Sequence, residues 1–191
     1  MKRIHNSNLK PDIAPVIRMM QMEDAVGLMR LRHRAIRECA ANFGTPLHIE
    51  LARDLPYYRR QLFRFGKRGW ALLLGCWQGD ALVGMTGIRV RKYKGESVGL
   101  IYSTYIEPCF RGQGLGKALV EEGRRQIEDR WGLTHCLMHV EVHNKRALHL
   151  YQECGFEITS KQERAFWIDG MAHDVFVLEL TNAQGASNLR K

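Results

Sequence analysis

The stretch YIEPCFRGQGLGKALVEEG, residues 105 to 123, restricts the fold of this 191-residue sequence more than any other feature. The residues before it follow the pattern of a β-strand, and the apolar residues after it recur at helical spacing. Gly112, Gly114 and Gly116 occupy alternate positions between the two patterns. Because glycine loses much backbone entropy on folding, this triplet indicates a strained turn, a close helix contact or a ligand at the bare backbone.

A strand that runs through a glycine-rich turn into a helix leaves unpaired N–H groups at the helix N-terminus. The positive end of the helix dipole lies behind them, so the sequence predicts an anion site. Two phosphate-binding patterns do not fit. The dinucleotide pattern GxGxxG would need glycine in place of Lys117, and the nucleotide P-loop would need glycine in place of Arg111 and Ser or Thr in place of Ala118.

Hydrophobic periodicity predicts a mixed α/β chain. A short strand at VIRMM precedes two helical segments, about residues 23–41 and 47–65, the second with a break or kink at Pro56. Three strand-like runs follow, WALLLGCW, ALVGMTGIRV and SVGLIYSTYI, with hairpin residues between them. A helix ending near Trp131, the strand THCLMHVEVH, a short helix capped by Asn144 and a final hairpin complete the order.

Length and composition predict a single globular domain, since 45% of the residues are apolar and 26% are charged. We expect it over residues 15–180, between a flexible arm at 1–14 and a disordered tail at 181–191. No apolar run is long enough to cross a bilayer, and the basic N-terminus lacks the apolar stretch of a secretory signal. A cytoplasmic protein with no membrane partner is therefore expected.

The formal net charge of +9 raises the question of a nucleic-acid partner. Part of the excess lies in two segments, residues 30–37 and 59–68. Nucleic acid is not favoured, because no zinc finger, RNP aromatic signature or basic heptad array accompanies these segments. Solvated helix faces are the leading interpretation, and an anionic small ligand or an acidic partner is the alternative.

Two motifs resemble those of the GNAT N-acetyltransferase superfamily. Arg111, Gly114 and Gly116 fit the order Arg/Gln-x-x-Gly-x-Gly/Ala. The order Asn-x-x-Ala-x-x-x-Tyr-x-x-x-Gly-Phe is supplied by Asn144, Ala147, Tyr151, Gly155 and Phe156. The predicted element order is also similar to that fold from about Val16 to Leu180. The resemblance implies an α/β fold of the α+β type, with a central, mixed and mostly antiparallel sheet of about seven strands flanked by about four helices.

The resemblance further implies an N-acetyltransferase of the acyltransferase class with acetyl-CoA as its cosubstrate. The strand before the loop would pair with the pantetheine arm through its backbone, as a neighbouring strand would. The loop would wrap the pyrophosphate, with Arg111 supporting it and Asn144 reaching the pantetheine. The expected cofactor-binding residues are Thr104, Tyr105, Ile106, Arg111, Gly112, Gln113, Gly114, Leu115, Gly116, Lys117 and Asn144.

Acyl transfer from a thioester to an amine calls for a base at the amine and a proton donor at the sulfur. Tyr151 matches the tyrosine that stands near the CoA sulfur in this family, and core packing of its ring is the alternative. His139 lies where ribosomal-protein acetyltransferases carry a glutamate, so its neutral imidazole is a candidate base. Glu96, Glu141 and a water chain are the other candidates.

A metal is not expected, although His135, His139 and His143 recur at every fourth position. In a strand they would share one face, but a spacing of roughly 6.6 Å per two residues spreads them too far apart for one ion. The sequence does not identify the amine acceptor. A small primary amine such as an amino acid, a polyamine or an antibiotic-like molecule is the leading hypothesis, while a protein amine, a non-catalytic acyl-CoA-binding module and a homodimer stay open.

Overall fold

The computed structural model describes residues 14–181, and the predicted arm and tail lie almost entirely outside them. The chain forms one seven-stranded sheet in the order β1-β2-β3-β4-β5-β7-β6. Its strands are β1 (Val16–Met19), β2 (Ala71–Gln78), β3 (Ala81–Tyr93), β4 (Glu96–Ile106), β5 (His135–Glu141), β6 (Glu157–Ile168) and β7 (Met171–Thr181). Every neighbouring pair is antiparallel except β4 and β5, which are parallel. The predicted mixed and mostly antiparallel sheet is confirmed.

The α-helices are α1 (Ala25–Glu38), α2 (Leu47–Leu51), α3 (Leu55–Arg68), α4 (Leu115–Trp131) and α5 (Lys145–Glu153). The sequence predicted about four, and the difference arises because its second helical segment divides into α2 and α3. Asp54 caps α3 by accepting the Tyr57 N–H at 2.9 Å. Pro56 therefore lies in the first turn of α3, where its missing N–H breaks no helical bond. Within residues 14–181, no helix has the length and apolar character to cross a membrane.

Helices cover both faces of the sheet. The largest apolar cluster lies between the sheet, α4 and α5, and Leu119 is fully buried in it. A second cluster lies under α1 and α3 and contains Leu31. On β2, Leu72 and Leu74 belong to the first cluster and Leu73 to the second. Because side chains alternate along a strand, the two helical layers lie on opposite faces.

Strands β4 and β5 diverge soon after they meet. Their pairing covers only Gly99 and Leu100 of β4, although β4 continues to Ile106 and β5 to Glu141. A bulge shifts the register of β4 against β3, and Ser103 within it has a left-handed φ of 55°. The separated strand ends leave one edge of β4 unpaired and form the sides of a cleft.

Candidate active site

The cleft between the ends of β4 and β5 has a volume of about 910 Å³. It brings together nearly all of the residues predicted to bind the cofactor, together with Tyr151 and His139. The members that line it are Thr104, Tyr105, Ile106, Arg111, Gly112, Gly114, Leu115, Gly116, Lys117 and Asn144. Gln113 is exposed and does not line the cleft.

Glycine stands at the three positions of the loop for different structural reasons. Gly112 and Gly114 both have a φ of 77°, which other residues rarely adopt. A Cβ atom at either position would meet open space, so their backbone is accessible from outside. Gly116 has no positive φ, but a Cβ there would lie 3.1 Å from Cδ2 of Leu150. The loop therefore contains both a strained turn and a close contact between α4 and α5.

The N-terminus of α4 faces the cleft without a side-chain cap. Gly114 is the N-cap residue, and the first helical bond runs from the Ala118 N–H to the Gly114 carbonyl at 3.0 Å. The N–H groups of Leu115, Gly116 and Lys117 precede that bond and have no acceptor within the helix. The first turn contains no acidic residue. This arrangement attracts a phosphate group.

Arg111 joins the glycine loop to the end of α1. Its Nε donates to the Ile106 carbonyl at 2.8 Å, and its guanidinium holds both oxygens of Glu38 at 2.6 and 2.7 Å. The Tyr105 hydroxyl also donates to Glu38, at 3.0 Å. These partners, Arg111 foremost, hold the pKa of Glu38 below its usual value. Sequence reasoning missed Glu38 because Arg111 lies 73 residues further along the chain.

Tyr151 lies on α5, is largely buried and lines the cleft. Only 7% of the residue is exposed, and its ring packs against Phe156 with 6.5 Å between centroids. Burial raises the pKa of the phenol, and an interaction with the Thr104 side chain offsets part of that rise. The Thr104 hydroxyl lies 2.8 Å from that of Thr86. Tyr151 is therefore protonated at neutral pH, which a proton donor requires.

His139 lies on β5 and lines the cleft with a solvent-accessible imidazole. Its pKa is lowered, first by partial removal from water in the cleft and then by the charges of Arg91 and Arg89 on β3. The imidazole is therefore neutral at neutral pH, as a proton acceptor must be.

The two carboxylates proposed as alternative bases differ in position. Glu141 lines the cleft and is buried, and its carboxylate accepts the His143 N–H at 2.8 Å. Its other oxygen lies 3.5 Å from Nδ1 of His173. Glu96 lies at the opposite end of β4, where it pairs with Tyr93 beside the hairpin turn, and it does not line the cleft.

The remaining polar residues of the sequence motifs have structural partners. Asn144 lines the cleft, and its Oδ1 accepts the Ala147 N–H at 3.1 Å, which caps α5 as predicted. His135 lies 3.0 Å from a carboxylate oxygen of Glu179. Across residues 14–181, no group of three or more His, Cys, Asp or Glu side chains is placed to hold a metal ion.

Glu50 is a fully buried carboxylate that sequence reasoning also missed. It accepts hydrogen bonds from Arg32 at 3.2 and 3.3 Å, from Arg53 at 2.6 Å and from the Tyr58 hydroxyl. Burial alone would raise the pKa of Glu50, but these partners outweigh it and hold that pKa below its usual value. Arg32 also donates to the Ser103 hydroxyl at 3.1 Å, at the bulge of β4. The Glu50 network therefore reaches the wall of the cleft.

Comparisons with known proteins place this site in a family. The profile described as "Acetyltransferase (GNAT) family" matches residues 34–156, which include the glycine loop, His139 and Tyr151. The mycothiol acetyltransferase of Thermobifida fusca is 39% identical over 64 residues, which are 34% of this chain and 20% of that protein. The mycothiol acetyltransferase of Rhodococcus erythropolis is 36% identical over 80 residues, 41% of this chain and 26% of that protein. The matched segments thus span about a quarter or less of these relatives.

Solved structures of low sequence identity share the fold. A GNAT-family acetyltransferase from Streptococcus pneumoniae superposes with a TM-score of 0.76 at 21% identity, over 88% of this chain and 100% of that one. A Salmonella typhimurium protein solved with its cofactor acetyl-CoA gives a TM-score of 0.75 at 17% identity, over 88% and 94% of the two chains. The family profile covers more than half of this chain. The chain therefore belongs to the acetyltransferase (GNAT) family.

Proposed function

We propose that the chain transfers the acetyl group of acetyl-CoA to the primary amine of a small molecule. The observation that carries this proposal is the single cleft in which the glycine loop, Tyr151 and His139 meet. Its volume of about 910 Å³ lies within the range of small-molecule sites. Because CoA would occupy much of that space, the room beside it suits a small acceptor.

The residues of the loop fit acetyl-CoA. The bare backbone of Gly112 and Gly114, the uncapped first turn of α4 and the Lys117 ammonium together suit a pyrophosphate. The unpaired edge of β4 offers strand-like hydrogen bonds to the pantetheine arm. When bound, acetyl-CoA supplies an activated thioester.

The two candidate catalytic groups divide the proton transfers. A free alkylammonium has a pKa of about 10, and it must lose a proton before its nitrogen can attack. The neutral imidazole of His139 accepts that proton before the nitrogen attacks the thioester carbon, and the proton that the nitrogen loses once it is bonded replaces the one that Tyr151 gives to the sulfur. Tyr151 donates its phenolic proton to the sulfur as the carbon–sulfur bond breaks, and its raised pKa keeps that proton in place until then.

Glu141 is the second candidate for the base. It lines the cleft two residues beyond His139, so both side chains face the same side of β5. Its contacts with the His143 N–H and with His173 fix the carboxylate in one orientation.

An acceptor panel tests the proposal. Purified protein is incubated with acetyl-CoA and amino acids, polyamines, aminoglycosides or peptides, with thiol release as the readout and product mass as confirmation. We expect thiol release with at least one class of small amine. Release with peptides alone would point to a protein acceptor. CoA binding without release by any amine would indicate a binding module.

A further inference from the structure

Arg89 and Arg91 lie on the same face of the sheet as His139, on a strand two places away in the sheet. Arg89 is in register with Leu100 of β4, which is in turn in register with Leu137 of β5. Residues opposite one another in a sheet share a face, and so do residues two apart on one strand. Arg91 therefore faces the same side as Arg89, and His139 the same side as Leu137.

Arg89 contacts Tyr102, which lines the cleft, although Arg89 and Arg91 are not lining residues themselves. The Arg89 guanidinium carbon lies 5.4 Å from the centroid of the Tyr102 ring, and Tyr102 lines the cleft together with His139. The ring can lie there only because residue 87 is glycine, since a Cβ atom at Gly87 would be 2.4 Å from Cζ of Tyr102. A guanidinium stacked on an aromatic face still presents its N–H groups along its edge.

Two positive charges near the cleft lack a carboxylate partner among the described residues. Within residues 14–181, neither Arg89 nor Arg91 forms an ion pair with a carboxylate, and the one hydrogen bond of Arg91 goes to the Lys92 carbonyl at 3.4 Å. Among the carboxylates that line the cleft, Glu38 pairs with Arg111, and Glu141 is held by the His143 N–H and lies beside His173.

We propose that Arg89 and Arg91 bind a carboxylate of the acceptor while its amine faces His139. This inference rests on the proposed function and narrows it to amines of the amino-acid type, and against polyamines. Charge-assisted hydrogen bonds between guanidinium and carboxylate supply both energy and direction. An anion here also compensates two arginines that form no ion pair within the described part of the chain.

Matched acceptors test the charge preference. Each L-amino acid is compared with its carboxamide, which has nearly the same shape and no negative charge, and spermidine is added as a polycation. Thiol release from acetyl-CoA gives kcat and KM for each. We expect kcat/KM about 10-fold or more higher for the acid than for the amide of the best acceptor, mainly through KM.

Arginine variants then locate the effect. Arg89→Gln and Arg91→Gln should each raise KM for the acid about 10-fold, change KM for the amide about twofold or less, and leave the Kd of CoA unchanged. Lys92→Gln is the matched control, because it removes the same charge from the same strand on the opposite face. In this control, the ratio of kcat/KM for the acid to kcat/KM for the amide should be the same as in the wild type.

Four outcomes would overturn the inference. Equal kcat/KM for acids and amides in the wild type would remove it while leaving the proposed function intact. The same holds if spermidine is the best acceptor or if Lys92→Gln lowers the ratio as much as Arg89→Gln does. If no small amine is acetylated at all, the proposed function fails and the inference fails with it.

Discussion

At the scale of single residues, two titratable side chains have pKa shifts that suit opposite tasks. Burial raises the pKa of Tyr151, and the cleft together with two arginines lowers that of His139. A proton donor must be protonated and a proton acceptor deprotonated at the working pH. Both groups meet that requirement at neutral pH, although their shifts have different causes.

Removal of the Tyr151 hydroxyl should slow the chemical step. Tyr151→Phe keeps the ring against Phe156 and deletes only the donor, so we expect kcat to fall about 100-fold with little change in the Kd of CoA. Thiol-release kinetics and calorimetric titration measure the two quantities. Tyr93→Phe is the control, since its hydroxyl binds Glu179 outside the cleft. A Tyr151→Phe enzyme of full rate would assign Tyr151 to packing alone.

The pH profile should identify the base. In the wild type, kcat/KM is expected to decline as the pH falls through the pKa of His139, which lies below its ordinary value of 6.5. The decline occurs because the imidazole gains the proton that it must accept. His139→Gln should lower kcat/KM and abolish this decline at low pH, whereas His135→Gln on the same strand should retain the decline. If the decline persists in His139→Gln, the base is Glu141 or water.

At the scale of elements, the glycine loop and the start of α4 are the proposed CoA site. In Gly114→Val, the new side chain would occupy the open space at the loop, so we expect the Kd of CoA to rise about 10-fold or more. A residue other than glycine in the left-handed backbone conformation also lowers the free energy of unfolding by about 1–2 kcal/mol. Gly132→Val at the other end of α4 is the matched control, since its φ is 64° and its surroundings are also open. An unchanged Kd in folded Gly114→Val would refute the placement.

Elements with strong local signals were predictable from the sequence. The turn residues between β2 and β3, and between β3 and β4, correctly placed those strands, and Asn144 correctly began α5. The break before α3 was misplaced because the cap at Asp54, and not Pro56, sets the start of the helix. Proline is compatible with a first turn, so its presence alone does not fix where a helix begins.

The site was predictable where motifs carried it and unpredictable where long-range side-chain contacts form it. Family motifs indicated the glycine loop, Asn144 and Tyr151, which line the cleft with the exception of Gln113 in the loop. Glu38 belongs to no motif. Its contact with Arg111 forms only when α1 folds against a loop 73 residues further along the chain. The charges that lower the pKa of His139 likewise come from β3, two strands away in the sheet.

At the scale of the whole molecule, the first basic segment is partly explained. Arg32 binds Glu50, and Arg34 lies 2.5 Å from a carboxylate oxygen of Glu107, so these charges hold the helical layer to the sheet and its cleft. On α3, Arg59 and Arg60 are exposed and form no ion pair within residues 14–181. For them a solvated face stays the leading interpretation.

Glu50 should be the carboxylate on which global stability depends most. Glu50→Gln leaves Arg32 and Arg53 without their buried counter-charge, which costs about 3–5 kcal/mol of unfolding free energy. Glu122→Gln removes an exposed partner of Arg125 and should cost about 1 kcal/mol or less. Urea unfolding at pH 7 compares the two variants.

The same network predicts how stability depends on pH. The folded pKa of Glu50 lies below its ordinary value of 4.5, so its ionised form stabilises the fold fully above that value. This contribution is lost as the pH falls below 4.5 through the folded pKa. The difference in unfolding free energy between wild type and Glu50→Gln should therefore shrink over that range and stay constant above pH 6. A constant difference throughout would show that the Glu50 charge does not stabilise the fold.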